Sequence, residues 1–200
     1  MIAIIDYGVG NLRSVQKALE IVGAQTLITQ NPQEILSASK VVLPGVGAIA
    51  PTMEKLQSLG LIPVIEKTIA TGKPFLGICL GMQLLFEKSF EGGEVKALGI
   101  FKGTVERFTS LKVPHMGWNQ LNIRQNTCPL FTGVMNSVNV YFCHSYYVKP
   151  EDQTIVATTT DYGFPFVSSV ILKNVFGVQF HPEKSQRFGL KILENFVKVI

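Results

Sequence analysis

A cysteine flanked by glycines is the side chain best placed for chemistry in this sequence. Residues 77–81 read Gly-Ile-Cys-Leu-Gly, after an apolar run at residues 73–78 and before a stretch of helical character at residues 80–86. Gly-x-nucleophile-x-Gly at a strand-to-helix turn is the nucleophile-elbow pattern, here with Cys79 in place of serine. The glycines permit a tight turn, and the start of a helix favours a thiolate. The pattern predicts a nucleophile; the alternative is a buried structural cysteine.

A nucleophilic cysteine needs a base and a group that orients the base, and one segment offers both. Residues 177–183 read Gly-Val-Gln-Phe-His-Pro-Glu, so that an apolar strand would deliver His181 to its end with Glu183 close behind. A carboxylate bound to one imidazole nitrogen sets the tautomer and leaves the other nitrogen for the thiol. The alternative is a surface His-Pro-Glu turn. His144 and His115 compete as bases, although neither has an acid close in sequence.

Acyl transfer also needs donors for a developing oxyanion. Residues 44–47 read Pro-Gly-Val-Gly at the end of a predicted strand. Because glycines permit unusual dihedral angles, the backbone N–H groups of Gly45, Val46 and Gly47 are candidate donors. The N–H of Leu80, directly after the cysteine, is the other natural donor. The alternative for this segment is an ordinary turn that ends a strand.

The elements that must position these groups are those of an α/β domain. The first half alternates short apolar strands with amphipathic helices, which predicts parallel strands with helices on both faces of the sheet. The strands are predicted at residues 2–5, 24–29, 40–43, 75–78, 139–143, 155–160, 167–172 and 175–180, and the helices at 12–22, 61–70 and 186–199. We therefore expect one α/β domain over residues 1–200, with antiparallel strands in its second half. Ligands of open α/β sheets collect beyond the carboxyl ends of the strands, where Cys79 and residues 44–47 fall.

A glycine-containing turn after the first strand resembles a dinucleotide-binding fingerprint only in part. Residues 6–11 read Asp-Tyr-Gly-Val-Gly-Asn, but the third glycine position holds Arg13. The second strand ends in Thr-Gln-Asn at residues 29–31, with no acid to meet a ribose. The segment is therefore interpreted as a turn that leads into a helix.

Composition limits the other classes of function. The 46% hydrophobic content of 200 residues supports one substantial core, and the longest apolar stretches are too short to span a bilayer. Three cysteines without a pairing rhythm, and a first strand with no basic region before it, predict a soluble cytoplasmic protein. The net charge of +4 comes from scattered Lys and Arg, which does not predict nucleic-acid binding. Cys and His residues lack metal-ligand spacing, so we expect no metal and no cofactor.

Several segments together resemble a known family. Residues 77–83 (Gly-Ile-Cys-Leu-Gly-Met-Gln) and the His-Pro-Glu at 181–183 resemble the class I glutamine amidotransferases. Further segments are similar to the glutaminase subunits of imidazole glycerol phosphate synthases; these are residues 6–12, 43–48, 114–119, 141–147 and 179–185. The resemblance runs essentially from end to end. It implies a single flavodoxin-like domain, with a mostly parallel central sheet flanked by helices.

The resemblance also implies roles for individual residues at matching positions. The implied sites are a catalytic triad of Cys79, His181 and Glu183; an oxyanion strand of Gly45, Val46 and Gly47 assisted by Leu80; substrate contacts at Gln83, Ser145 and Tyr146; and partner contacts at Asn11, Trp118 and Tyr141. Cys143 stands where the family more often has an aliphatic residue, and we expect it to pack. The implied reaction hydrolyses glutamine to glutamate and ammonia. The ammonia would pass to a HisF-type (βα)8 cyclase partner, which makes imidazole glycerol phosphate and an aminoimidazole carboxamide ribotide.

Three alternatives stay open on the sequence. A paralogous amidotransferase subunit would supply ammonia to a synthase of surface sugars. A regulatory subunit would keep the fold without catalysis, which the intact Cys79, His181 and Glu183 disfavour. A cysteine peptidase or related hydrolase of similar topology would be acylated by a peptide instead of by glutamine.

Overall fold

The structure is a computed structural model that describes residues 1–109 and 111–200. The helices are α1 (Leu12–Ile21), α2 (Pro32–Ser37), α3 (Ile49–Ser58), α4 (Ile62–Ala70), α5 (Leu80–Gln83) and α6 (Gln186–Lys198). The strands are β1 (Ile2–Ile5), β2 (Thr26–Thr29), β3 (Lys40–Gly45), β4 (Phe75–Cys79), β5 (Phe86–Ser89), β6 (Val95–Lys96), β7 (Phe101–Arg107), β8 (His115–Gln120), β9 (Asn122–Ile123), β10 (Asn139–His144), β11 (Tyr146–Pro150), β12 (Val156–Asp161), β13 (Pro165–Leu172) and β14 (Val175–Val178). Short 3-10 helices cover Pro129–Phe131, Gln153–Ile155 and Pro182–Lys184.

The parallel part of the sheet positions the candidate site. Its strands lie in the order β2, β1, β3, β4, β14, and each pairs in parallel with its neighbour. This is the flavodoxin-like order of a doubly wound sheet. The strands β3, β4 and β14 lie side by side, so that the segments after their carboxyl ends meet at one edge. The predicted α/β fold with a mostly parallel half is confirmed.

Alternating side chains of the strands supply two apolar cores, one on each face of the sheet. In β1, Ile2 and Ile4 pack with α1 and α6, whereas Ala3 and Ile5 pack on the opposite face with α2, α3 and α4. The period of two in a strand sends successive side chains to opposite faces. The helices therefore cover both faces and hold the parallel strands in register.

The second half of the chain is built mainly from antiparallel strands. β13 joins the sheet beside β14, and β11 and β7 extend it in antiparallel pairing. A separate hairpin is formed by β8 and β10, in which Trp118 pairs with Tyr141 and His115 with His144. One face of this hairpin packs on the core that contains α6, through Phe142. Among the described residues, no helix has the length and apolar character required to cross a membrane.

The observed elements differ from the predicted ones in number as well as in length, since the strands β5–β9 and β11 were not predicted. The helical stretch predicted at residues 80–86 forms a single turn, α5, because the chain returns to extended strand at Phe86. The chain also contains helices over Pro32–Ser37 and Ile49–Ser58 that the sequence analysis did not predict. The first of these helices has only six residues, and it is capped by the Asn31 side chain, which accepts from the N–H of Gln33.

Candidate active site

Cys79 ends β4 in a backbone conformation that non-glycine residues rarely adopt. Its φ is 55° and its ψ is −109°, so the turn is strained and held by its surroundings. The flanking glycines explain how it is held: a Cβ atom on Gly77 would lie 2.6 Å from the carbonyl oxygen of Gly81, and one on Gly81 would lie 1.8 Å from that of Leu43. The residue is therefore displayed at the strand end by close backbone packing, as the elbow pattern predicts.

His181 and Glu183 lie beside this cysteine, just beyond the end of β14. The Nδ1 atom of His181 lies 2.9 Å from Oε1 of Glu183, and both side chains are almost fully buried. The backbone is held by two further bonds: the N–H of His181 donates to the carbonyl of Tyr141, and the hydroxyl of Ser185 donates to the carbonyl of His181. Since Nδ1 is bound to the carboxylate, Nε2 is the nitrogen left for Cys79.

The electrostatic environment favours a protonated His181. Burial by itself lowers the pKa of His181, but hydrogen bonds to Cys79 and Glu183, together with their negative charges, outweigh burial and raise the pKa to about 10. A protonated imidazole next to the sulfur is placed to deliver a proton to a group that is bound to Cys79.

The predicted oxyanion segment lies next to the cysteine. Gly45 pairs with Cys79 in the register of β3 and β4, and Val46 and Gly47 follow it directly. Gly45 is required here, because a Cβ atom would lie 2.6 Å from the hydroxyl of Tyr7. That hydroxyl donates to the carbonyl of Pro44 at 3.1 Å and so fixes the position of the residue that precedes Gly45.

A cavity of about 310 Å³ opens above the sulfur. Most of the predicted site residues line it, namely Val46, Gly47, Cys79, Leu80, Gln83, Ser145, Tyr146 and His181. This volume is at the small end of the range for small-molecule sites and is sufficient for a free amino acid. Gly45 and Glu183 do not line this cavity; they lie behind it, on a space of about 10 Å³ next to Asn11.

Gln83 is buried, and its amide nitrogen is already used. Nε2 donates to the carbonyl of Tyr146 and to Oε1 of Gln179, each at 2.9 Å. An amide nitrogen carries two hydrogens, so both are occupied and only Oε1 of Gln83 remains for a ligand. The predicted contact of Gln83 with substrate is therefore restricted to that of an acceptor, such as one that meets an ammonium group.

Two residues of the site were missed by the sequence analysis. Glu91, in the loop after β5, lines the cavity and accepts the N–H of Ile49 at 2.9 Å. Gln179 is fully buried, and its amide nitrogen lies 3.7 Å from Sγ of Cys79. A sequence signal existed for Gln179, since it precedes His181 by two residues and so shares its face in extended backbone. Glu91 carried none, because its loop has no regular period.

The competing histidines are not available as bases. Nδ1 of His144 lies 2.8 Å from the carbonyl of Tyr146, which can only accept, so this nitrogen carries the proton. Nε2 of His144 then accepts from Nδ1 of His115 at 2.9 Å, and Nε2 of His115 accepts from the amide of Asn119 at 3.2 Å. Every ring nitrogen of the pair is engaged, which leaves His181 as the remaining candidate for the base.

The three residues predicted to meet a partner lie outside the cavity. Trp118 and Tyr141 are neighbours on the hairpin, with their ring centroids 6.1 Å apart, and Trp118 is 49% exposed. Asn11 is an exposed residue at the N-cap position of α1, where its side chain makes no capping hydrogen bond. Among the described residues, there is no cluster of His, Cys, Asp and Glu that could hold a metal ion.

The chain matches a known protein family and several known proteins over nearly its whole length. The family model described as glutamine amidotransferase class-I matches residues 3–200. The chain is 55% identical to the imidazole glycerol phosphate synthase subunit HisH of Thermosynechococcus vestitus, over 100% of this chain and 97% of that protein. It is 54% identical to the HisH subunit of Aquifex aeolicus, over 96% of this chain and 94% of that protein.

Solved structures share the fold at lower sequence identity. A glutamine amidotransferase crystal structure superimposes with a TM-score of 0.77 at 17% identity, covering 98% of this chain and 100% of that chain. The structure of PurLQS from Thermotoga maritima also gives a TM-score of 0.77, at 20% identity, covering 99% of this chain and 97% of that chain.

Proposed function

This chain belongs to the class I glutamine amidotransferases, and on that premise we propose that it is the glutaminase subunit of an imidazole glycerol phosphate synthase. It hydrolyses glutamine to glutamate and ammonia for histidine biosynthesis. The observation that carries the proposal is that Cys79 and His181 line the same substrate-sized cavity, with His181 bound to Glu183. The full-length similarity to HisH subunits supports the choice of synthase.

The proposed reaction begins with the thiolate of Cys79. The sulfur attacks the side-chain carbonyl carbon of glutamine, and the carbonyl electron pair moves to oxygen. Nε2–H of His181 protonates the amide nitrogen as the carbon–nitrogen bond breaks, so that ammonia leaves and a thioester remains. Water then adds to the thioester while His181 accepts its proton, and the sulfur departs as thiolate. Glutamate is released and the ion pair is restored.

The developing oxyanion is assigned to the segment beside the sulfur. The N–H groups of Gly45, Val46, Gly47 and Leu80 are our candidates, since these residues adjoin Cys79 through strand register or sequence. Backbone donors at this point stabilise charge only as it forms, which is where such contacts accelerate a reaction. The glycine-rich segment can hold more than one backbone arrangement, so we expect the competent one to be selected by a partner.

Recognition of the amino-acid end of glutamine uses the other side of the cavity. Oε1 of Gln83 and the carboxylate of Glu91 face an α-ammonium group as acceptors. Ser145 and Tyr146 lie on the same cavity and are our candidates for the α-carboxylate. An acceptor pair for the ammonium group distinguishes a free amino acid from an internal peptide residue, which has no charged amine.

The proposed partner is a HisF-type (βα)8 cyclase that consumes the ammonia. Asn11, Trp118 and Tyr141 are the candidate contacts, and their position beside Glu183 and on the exposed hairpin supports this. Ammonia released into neutral water is protonated and loses its nucleophilicity, which is a physical reason for direct transfer. We also propose a cytoplasmic location, because all three cysteines are free thiols and a reducing compartment preserves them.

Reconstitution with the cyclase subunit from the same organism tests the proposal. We expect glutamine-dependent formation of imidazole glycerol phosphate by the complex. Cys79→Ala should abolish this activity and retain the activity driven by added ammonium salts. If the complex uses ammonium salts but never glutamine, the glutaminase assignment is wrong. If glutamine is hydrolysed but only a different synthase accepts the ammonia, the reaction stands and the histidine-pathway partner is wrong.

A further inference from the structure

The orientation of the buried amide of Gln179 follows from a fixed neighbour. The backbone carbonyl of Tyr146 can only accept, so the amide group of Gln83 must turn its nitrogen toward it. That same nitrogen contacts Gln179 at 2.9 Å, so the Gln179 atom that faces it must be the acceptor Oε1. The amide nitrogen of Gln179 is therefore the atom that faces the sulfur of Cys79.

The contact between Gln179 and Cys79 has the geometry of a hydrogen bond to sulfur. Nε2 of Gln179 lies 3.7 Å from Sγ of Cys79, and Gln179 has no exposed surface. The backbone N–H of Gln179 donates to the carbonyl of Ser168 at 2.9 Å, which ties the residue to the adjacent strand β13. Both ends of the side chain are thus held, and no water competes for the donor.

We propose that Gln179 is a positioning residue for the nucleophile, which directs an N–H group at Sγ of Cys79 and so stabilises and orients the thiolate. The inference rests on the proposed function, in which Cys79 attacks glutamine. A hydrogen bond to an ionised partner is stronger than one to a neutral partner, so this contact favours the thiolate over the thiol. It also favours departure of the sulfur when the thioester breaks down, since the leaving group is again a thiolate.

This arrangement gives Gln83 a second task. By donating to Oε1 of Gln179, Gln83 holds the amide that faces Cys79, and Gln83 also lines the substrate cavity. Occupation of the substrate site and orientation of the nucleophile therefore share one side chain. Loss of Gln83 should affect the sulfur even when no substrate is present.

The rate at which iodoacetamide alkylates Cys79, followed across pH by peptide mapping, tests the proposal without glutamine. Gln179→Met removes the donor at similar length, and Gln179→Glu keeps an oxygen for Gln83 but places a second oxygen at the sulfur. We expect the pH midpoint of alkylation to rise in both, with a rate lower by about tenfold or more at pH values below the wild-type midpoint. Gln83→Met should give a smaller fall. Gln57→Glu, the same charge change on the exposed face of α3, should give none.

A purely structural role predicts a different result. If Gln179→Met and Gln179→Glu melt at lower temperature but alkylate with the wild-type pH profile, the proposal is overturned. Should both variants fail to fold, NMR of the unsubstituted chain decides, because the side-chain amide protons of Gln179 must shift with the same pH midpoint as alkylation. Absence of that shift overturns the proposal as well.

Turnover separates this inference from the proposed function. With glutamine and the partner present, Gln179→Met should raise the fraction of acid-quenched enzyme that carries the thioester, because departure of the sulfur is slowed. If wild-type enzyme never forms a thioester with glutamine, the proposed function fails, while the alkylation result still reports on Gln179. If the thioester forms equally in both and alkylation is unchanged, Gln179 has no role toward the sulfur.

Discussion

Two buried histidine environments lie next to each other in this molecule and have opposite electrostatics. His181 is bound to the carboxylate of Glu183 and contacts Cys79, and its pKa is raised. His115 and His144 are bound to each other across the hairpin, and the pKa of each is lowered, to about 4 and about 3, because burial disfavours their charged forms. All three rings are at most 6% exposed, so burial does not separate the two environments.

The difference lies in what each ring has as a partner. An anion beside a buried imidazole stabilises its charged form, whereas a carbonyl and a second neutral imidazole are satisfied by the neutral form. His144 is a donor to the carbonyl of Tyr146, which is also the acceptor for Gln83. The neutral pair therefore braces the cavity wall, whereas His181 with Glu183 is the pair to which we assign the proposed chemistry.

Replacement of each histidine should separate these roles most strongly. His181→Ala should lower glutamine hydrolysis by the partner complex on the order of 10³-fold or more, as expected when a base acts together with a nucleophile. His144→Asn can keep a donor for the carbonyl of Tyr146, so we expect less than about a tenfold loss. Steady-state release of glutamate measures both. Comparable losses in the two variants, with folding intact, would contradict the division into a chemical and a bracing pair.

Glu183→Gln tests how much the proposed activity of His181 depends on the negative charge of Glu183. The amide can still hold the ring of His181 but no longer stabilises its protonated form, and it can select the wrong tautomer. We expect a loss of turnover that is large yet smaller than that of His181→Ala, measured under identical conditions. Equal losses would mean that Glu183 does more than orient and stabilise the ring.

The dependence of stability on pH should have a separate origin at each end of the range. His181, with its pKa raised from 6.5 to about 10, contributes stability that is complete below pH 6.5 and is lost as pH rises through its folded-state pKa. His115 and His144, with lowered pKa values, cost stability as pH falls below 6.5, because only the unfolded chain takes up their protons there. Melting temperatures across pH should therefore lose part of the alkaline decline in His181→Gln and part of the acid decline in His144→Asn. Identical profiles in both variants would contradict this assignment.

The sequence was more informative about the charged environment than about the neutral one. Glu183 follows His181 by two residues, so residue type and spacing made their contact a candidate, and the family resemblance then implied it. His115 and His144 meet only because β8 and β10 pair in a particular register, and no local pattern specifies which residues face each other across such a hairpin. The same reason applies to Gln179 and Gln83, whose contact joins β14 to the turn after β4. The strands β1 and β4 were predictable because they are short apolar runs that are buried along their whole length. In contrast, α5 was predicted too long because its helical composition is overridden by pairing of Phe86 with Phe101.

We expect the smallest effect on activity from a substitution on the exposed face of β8, the strand that also carries His115. Trp118 lies on the opposite face of β8, where half of it is open to solvent, so Trp118→Ala removes an aromatic side chain without touching the buried pair. If the partner selects the competent oxyanion arrangement by docking here, a tenfold activation requires only about 1.4 kcal/mol of differential binding, which one aromatic contact can supply. The stimulation of glutaminase activity by saturating partner should then fall in Trp118→Ala while the melting temperature stays close to that of the unsubstituted chain.

Leu172 is an exposed apolar residue in the hairpin of β13 and β14, and it provides a matched control. Leu172→Ala should leave the stimulation unchanged. An isolated subunit that already turned over as fast as the complex would refute the selection mechanism. The chemistry proposed at Cys79 would be unaffected, because Cys79, His181 and Glu183 all belong to this chain.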